Sequence, residues 1–327
     1  MRNRRDRFFI LFHLTVDQFS WRGVGWFLGV YFGAFLVAGI CGPLIYHAVQ
    51  AIPVDPASEG PIAYLQRHPL GRYVDRVRLL TTAVALVWLI TACGLWGRFG
   101  FSWGKGGNRL FNGFFLLGLG TLGLVMGAQI LFPGIEPAMQ FSVLNVTGLL
   151  VEVMIGALLI GFLEEAIFRG MLFRMVYTAL RPHLAILLSS LVFASVHFKD
   201  VMHPLADPLA WWAGLWVAAQ QSVSVFFNAQ PTYFLNLFLV GIVLCLVFLR
   251  TRSLVACMGL HAGWVFARGI WSQTVEVGGG TGSVFWGTEG VVDGTAALVM
   301  LGSLAVALYV SWQQTQQKST VSLERIT

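Results

Sequence analysis

The sequence predicts an all-α protein, a polytopic transmembrane helical bundle with about eight spans. Two observations support this fold class. The 327 residues are 57% hydrophobic and only 11% charged, whereas soluble domains carry about 25% charged residues. The mean hydropathy is +0.73, and several apolar runs approach or exceed the roughly 20 residues that a helix needs to cross a bilayer. The composition therefore excludes an ordinary soluble domain.

The apolar runs divide the chain into successive helices, separated by short polar or glycine-rich segments. Segment 209–227 contains three tryptophans and the polar run QQSVS, which favours an interfacial or re-entrant helix over a span. We divide the chain into N-terminal helices (1–142), a central core (143–271) and an external loop, last helix and tail (272–327). The predicted spans are 24–48, 79–98, 110–132, 143–166, 184–198, 233–250, 254–271 and 294–312.

The distribution of basic residues predicts the orientation in the membrane. With eight spans and a cytoplasmic N-terminus, 14 of the 21 Lys and Arg residues fall on the cytoplasmic side, as the positive-inside rule requires. The basic start, MRNRRDRFF, is interpreted as a cytoplasmic anchor and not a cleaved signal peptide. We expect a multi-pass protein of the cell (inner) membrane with both termini cytoplasmic. The net charge of +6 then reflects basic loops and not a nucleic-acid partner.

The stretch FLEEAIFRG places Glu164, Glu165 and Arg169 inside an apolar run. An ionised group inside a bilayer costs about 2.5–3.5 kcal/mol even on insertion scales, so such groups usually have a function. Residues four apart share a helix face, which predicts an ion pair between Glu165 and Arg169. Glu164 lies about a quarter-turn away and would meet other groups. We expect Glu165 to stay ionised beside arginine and Glu164 to exchange a proton with water. A purely structural ion pair is the alternative.

Two histidines lie in later apolar runs. His197 follows Phe193 by four residues, and His261 lies in the middle of the run SLVACMGLHAGWVFARG. Pro182 is expected to mark the turn before the His197 run, because proline does not continue a helix interior. Glu165 and His197 would then lie at similar depths in an antiparallel hairpin. Membrane histidines and glutamates need polar partners, and the simplest arrangement is that they meet one another around water.

Other catalytic signatures of membrane enzymes are missing from the sequence. It contains no HExxH zinc motif, no GxSG serine loop, no GxGD aspartyl motif and no Walker A loop. A proton-coupled transporter that uses Glu and His as a relay remains an alternative. Such a carrier commonly shows an internal duplication, and none is apparent in the sequence.

These residues resemble the motifs of the CPBP family of intramembrane proteases, also called the CAAX protease, Abi or type II CAAX prenyl endopeptidase-like family. EEAIFRG resembles its EExxxR motif, and Phe193 with His197 resembles its FxxxH motif. FLVGIVLCLVFLRTRSL is similar to its third, glycine-containing motif, in which Gly241 would allow close helix packing. GLHAGW is similar to its final motif, which begins at His261. The resemblance covers about residues 143–270.

The resemblance implies a membrane endopeptidase that cuts near the C-terminus, or in a membrane-proximal segment, of a membrane-associated protein or peptide. By this resemblance Glu164 activates water, and Glu165 with Arg169 orders the site. His197 and His261 would hold water or stabilise the oxyanion. The family has been described both as metalloproteases and as metal-independent glutamate proteases. Glu164, His197 and His261 could therefore also hold zinc. Besides the substrate, the partner that we expect is the lipid bilayer, with no nucleic acid.

One position departs from the family pattern. The last motif commonly reads HxxxN, and Val265 stands here in place of the asparagine. The asparagine is expected to donate a hydrogen bond to the developing oxyanion, and loss of one such donor costs about 10²–10³ in rate. Phe193 is expected to support the site, and Asn236 or Trp264 could supply the missing donor. A non-catalytic relative that acts as an immunity or scaffold protein is the further alternative.

Overall fold

The fold is taken from a computed structural model of the whole chain. Almost all of the described segments are helices, and the longest helices coincide with apolar stretches of the sequence. The structure describes residues 21–55, 60–92, 103–131, 135–137, 143–198, 201, 207–208, 210, 212–277, 283–287 and 292–324.

Among the described residues, six helical stretches are long and apolar enough to cross a membrane, which confirms the all-α membrane fold and makes "about eight" spans an approximation. These stretches are Gly29–Gln50, Gly107–Gln129, Val146–Tyr177, Pro231–Thr251, Leu254–Thr274 and Thr295–Thr315. The helices are, in chain order, α1 Trp21–Gln50, α2 Pro61–Gln66, α3 Leu70–Ala92, α4 Gly107–Gln129, α5 Val143–Glu165, a π-helical segment Ala166–Phe173, α6 Arg174–Ala179, α7 Pro182–Ser195, α8 Ala213–Val223, α9 Val225–Asn228, α10 Pro231–Thr251, α11 Leu254–Thr274, α12 Ser283–Trp286 and α13 Thr295–Glu324.

The two other predicted spans are also helical but differ in length or position. The span predicted at 184–198 is α7, which has 14 residues and is therefore about 21 Å long. The span predicted at 79–98 overlaps α3, which starts earlier, at Leu70, and whose described part ends at Ala92. Residues 93–98 lie outside the described part of the chain. Helix α8, in the segment that we interpreted as interfacial or re-entrant, has 11 residues and is too short to span a bilayer.

The chain forms two compact units. The first contains the described residues of Phe19–Leu95 and Ser195–Ala229, and the second those of Trp96–Ala194 and Gln230–Thr327. This division comes from the packing of the backbone, and it does not test the division at 142 and 271 made from the sequence, which stays a prediction.

In the first unit, α1, α3 and α8 pack around a small apolar core. Gln221 of α8 donates a hydrogen bond to the carbonyl of Gly71 at 3.1 Å, which joins α8 to the start of α3. Arg78 of α3 is buried, pairs with Asp75 at 2.7 Å and lies 5.0 Å from the ring centre of Phe35. The buried core residues are Phe35, Ala38, Leu70, Val74, Ala213, Val217 and Ala218.

In the second unit, α4 and α5 both pack on α11, which is the most buried of the spans. Glycines allow this close approach: a Cβ atom on Gly118 of α4 would collide with the carbonyl oxygen of Leu260. In the same way, a Cβ on Gly161 of α5 would lie 3.2 Å from the Cβ of Ala262. Because α11 carries His261, this packing fixes the histidine against the end of α5.

Two very short strands are the one departure from an all-helical chain within the described residues. Strand β1 (Ile135–Pro137) pairs with β2 (Val275–Val277) in an antiparallel ribbon. The ribbon joins the segment after α4 to the C-terminal end of α11.

The helix that contains FLEEAIFRG does not end near residue 166, as the predicted span did. Helix α5, the π-helical segment and α6 form one helical run that reaches Ala179. A turn at Leu180 and Arg181 follows, and α7 begins at Pro182, which confirms that the proline marks the turn between the two helices.

Candidate active site

Glu165 and Arg169 form the predicted ion pair. The Nη1 atom of Arg169 donates to Oε1 of Glu165 at 2.7 Å, and both side chains are completely buried. The Nη2 atom of Arg169 donates to the carbonyl oxygen of Gly241 at 3.3 Å. A buried ion pair is retained only where further hydrogen bonds compensate the lost hydration. The carbonyl of Gly241 supplies one such bond to Arg169.

The glycine at position 241 is required by packing. A Cβ atom there would lie 2.7 Å from the Cβ and 2.8 Å from the Cα of Ser190. The close helix approach predicted at Gly241 is therefore confirmed, and the residue approached is Ser190 of α7. This close contact also holds the Gly241 carbonyl within reach of Arg169, a role that the sequence did not reveal.

The two glutamates stand at the junction between an α-helix and a π-helix. Helix α5 ends at Glu165, and the π-helical segment begins with the next residue, Ala166. A π-helix has i→i+5 hydrogen bonds and is rare, and it occurs most often at functional sites. The sequence analysis assumed a regular α-helix here. The ion pair nevertheless forms, because the long arginine side chain can adjust to the wider turn.

Phenylalanine rings enclose the guanidinium of Arg169. Its central carbon lies 4.5 Å from the ring centre of Phe193 and 5.9 Å from that of Phe168. The two rings meet edge to face, 5.0 Å apart. A cation over an aromatic face is attracted to it, more strongly where water is excluded. Phe193 therefore contacts the ion pair directly, which supports the structural role expected from its motif.

His261 lies against both glutamates. Its Nδ1 atom is 2.8 Å from Oε1 of Glu165, and its Nε2 atom is 3.9 Å from Oε2 of Glu164. A carboxylate paired with arginine accepts hydrogen bonds only, so this contact fits a His261 ring that carries its proton on Nδ1. In the neutral ring, Nε2 is then the unprotonated nitrogen, and its lone pair points to the side of Glu164.

Glu164 is the more accessible of the two glutamates. Its side chain is 20% exposed, whereas that of Glu165 is fully buried. The distance of 3.9 Å to His261 is too long for a direct hydrogen bond. It is short enough for one water molecule to bond to both groups. The site thus has a fully buried carboxylate fixed by Arg169 and a second glutamate whose side chain is partly exposed, although its Oε2 atom, on the side of His261, is buried.

His197 does not lie in a helix. Helix α7 ends at Ser195, and His197 follows in a half-buried turn. The predicted span at 184–198 included His197, and the end of α7 at Ser195 makes its placement within that helix wrong. His197 belongs to the first unit, whereas Phe193 and His261 belong to the second. Its role in the site stays a prediction.

The side chains of Asn236 and Trp264 donate their hydrogen bonds within the fold. Asn236 is buried, and its amide nitrogen donates to the carbonyls of Val292 and Gly294 at 2.7 and 2.9 Å. The indole nitrogen of Trp264 donates to Oγ1 of Thr121 at 3.0 Å. These contacts favour structural roles. Asn236 joins α10 to the segment just before α13, and Trp264 joins α11 to α4. The proposal that either residue replaces the motif asparagine therefore gains no support.

The described side chains around Glu164 do not form a complete zinc site. Within the described residues, no group of three or more His, Cys, Asp or Glu side chains is placed to hold a metal. Glu164 and His261 offer two ligands, whereas catalytic zinc sites use three protein ligands.

Comparison with protein families identifies the domain that contains this site. Residues 146–267 match the family described as Type II CAAX prenyl endopeptidase Rce1-like. This segment is therefore similar to the domain of that family. The match spans a little over a third of the chain and includes every residue of the cluster around Arg169. It confirms the resemblance to the CPBP family drawn from the motifs.

The six candidate spans in the described part of the chain and the match to this family together indicate an integral membrane protein. The matching family is described as one of prenyl endopeptidases. No curated protein and no solved structure matches the chain in the corresponding comparisons.

Proposed function

We propose that this protein hydrolyses a peptide bond near the C-terminus, or in a membrane-proximal segment, of a membrane-associated protein or peptide. The observation that carries the proposal is the contact chain from Arg169 through Glu165 and His261 to Glu164. The Rce1-like match supports the same class of reaction.

In the proposed mechanism, one water molecule donates hydrogen bonds to the carboxylate of Glu164 and to Nε2 of His261. Glu164 takes a proton from this water as its oxygen forms a bond with the peptide carbonyl carbon. The carbonyl oxygen becomes an oxyanion. When the C–N bond breaks, Glu164 returns the proton to the leaving nitrogen, and a carboxylate and an amine are released. General acid–base catalysis of this kind contributes about 10²–10⁴ in rate.

The other residues position the two that bind water. Glu165 accepts a hydrogen bond from the Nδ1–H group of His261, and this bond fixes the orientation of the ring and its tautomer. Arg169 pairs with Glu165 at 2.7 Å, and its complete burial keeps it away from the substrate. We assign the stabilisation of the oxyanion to His197, on the basis of its family motif alone.

The same residues allow a second form of the proposal, in which zinc is bound by Glu164, His261 and His197. A bound zinc ion would supply Lewis-acid activation of water. The described residues do not bring together a complete ligand set for this ion.

The proposal is tested with the purified full-length protein and a set of membrane-anchored peptides that vary at the C-terminus. Glu164→Gln keeps the shape of the side chain but removes the base, so we expect cleavage to fall by about 10²-fold or more. Glu152→Gln is the matched control, because Glu152 is an exposed glutamate on the same helix. Its activity should equal that of the wild type.

Cleavage that survives Glu164→Gln would show that another group activates the water. If the folded wild-type protein binds the peptides but cleaves none of them, it is a non-catalytic relative. Treatment with a chelator followed by zinc tests the cofactor: loss and recovery of cleavage would favour the zinc form, and unchanged cleavage the metal-free form.

A further inference from the structure

A groove at the start of α4 is separate from the candidate active site. It has a volume of about 340 Å³, within the range of small-molecule binding sites. One end of the groove carries a positive charge, and the remainder is apolar. Its lining residues are Gly106, Arg109, Leu110, Gly113, Phe114 and Leu117.

The charged end of the groove is suited to an anion. Arg109 lines it, and Lys105 immediately precedes the lining residue Gly106; both side chains are exposed. The sequence contains no Asp or Glu between Asp75 and Glu136. The local charge along this part of the chain is therefore entirely positive, and an anionic group is its electrostatic complement.

The apolar end of the groove lies along a membrane span. Helix α4 is one of the six candidate spans, so residues further along it lie at increasing depth among the lipid chains. Gly113 leaves this part of the groove open, because a Cβ atom there would meet nothing within 4 Å. Trp103 is 53% exposed just before the helix, where tryptophans mark the boundary between headgroups and acyl chains.

We propose that this groove binds an anionic phospholipid, with its phosphate against Lys105 and Arg109 and one acyl chain along Gly113 and Phe114. An anionic phospholipid complements both parts of the groove. Its negative headgroup matches the two cations, and its acyl chain matches the apolar end. The site does not depend on the proposed protease mechanism.

The first test uses the unmodified protein. Native mass spectrometry of the full-length chain, released from micelles, compares phosphatidylglycerol with phosphatidylcholine of the same acyl chains. We expect the anionic lipid to bind more tightly, by about fivefold for each cation that contacts the headgroup. Equal binding of the two lipids would overturn the proposal, and so would displacement of the bound lipid by inorganic phosphate alone.

Variants then locate the site. Arg109→Gln should weaken phosphatidylglycerol binding by about fivefold, whereas Arg268→Gln, which changes an exposed arginine on α11, should not. Gly113→Leu should fill the groove and reduce binding. Gly120→Leu is its matched control, since Gly120 lies one heptad further along α4, does not line the groove and also has open space around its Cβ position. An equal loss in both glycine variants, or no loss in Arg109→Gln, would show that the lipid binds elsewhere.

Discussion

The buried ion pair between Glu165 and Arg169 provides a stringent test of the site. Glu165→Gln keeps the shape of the side chain but leaves the arginine without a carboxylate partner. Arg169→Met keeps an apolar chain of similar length but removes the charge and its bond to the Gly241 carbonyl. The double variant Glu165→Gln/Arg169→Met removes both charges together.

The expected magnitudes follow from the complete burial of both side chains. Removing one partner of a buried ion pair costs about 3–5 kcal/mol, because the other charge is left uncompensated. Glu165→Gln should lie near the upper end of that range. Arg169→Met should lie near the lower end, because His261 can still donate to Glu165 at 2.8 Å. The double variant leaves neither charge, so its cost should be smaller than the sum of the single costs by at least about 2 kcal/mol.

The assay is reversible unfolding of the purified protein in mixed micelles by titration with sodium dodecyl sulfate, followed by tryptophan fluorescence. The four proteins of the cycle give the coupling free energy between the two residues. Additive effects would refute the reasoning, because they would mean that neither charge depends on the other. Glu165→Gln and the double variant should lose peptide cleavage, since both replace the carboxylate that orients His261, whereas Arg169→Met keeps that contact and should reduce cleavage less. A double variant that regains stability without regaining cleavage would separate the effect of the ion pair on folding from its effect on the orientation of His261.

Two further predictions concern packing and charge away from the site. Gly118→Ala should destabilise the protein by about 1–3 kcal/mol, because its Cβ would collide with the backbone of α11. Gly123→Ala on the same helix meets nothing within 4 Å and should not lower the melting temperature; equal effects would contradict the described packing. Burial and the nearby charges of Arg72 and Arg76 lower the pKa of His68. The folded state thus favours the neutral form of His68. The contribution of His68 to the free energy of unfolding is therefore complete above its unfolded pKa of about 6.5, and it is lost as the pH falls below that value. The NMR signal of His68 should titrate below that value and move towards it in Arg72→Gln; a midpoint that does not move would contradict the electrostatic contribution.

The sequence was informative about the membrane fold because hydropathy acts locally along the chain. Apolar runs predicted each of the six candidate spans, and the proline at 182 marked the start of α7 correctly. The early end of α7 was not predicted, because the apolar pattern continues to Phe198 although the helix stops at Ser195. The prediction that His197 lies within that helix was wrong for this reason.

The candidate site was predicted in part. The pairing of Glu165 with Arg169 follows from a four-residue spacing, and it forms even though the helix changes from α to π at that point. The sequence could not show that the carbonyl of Gly241 accepts from Arg169, since every residue has a carbonyl and only packing selects one. Nor could it show that the donors of Asn236 and Trp264 are used by distant parts of the chain.

By itself, the sequence determined that this protein crosses the membrane, which charged residues lie in its apolar helices and which family motifs they form. These properties depend on residue type and short spacings. The tertiary structure decided how the two glutamates differ. Glu165 is fully buried against Arg169 and His261, whereas the side chain of Glu164 is partly exposed. That difference arises from contacts between residues almost one hundred positions apart, which only the packing of α11 against α5 brings together.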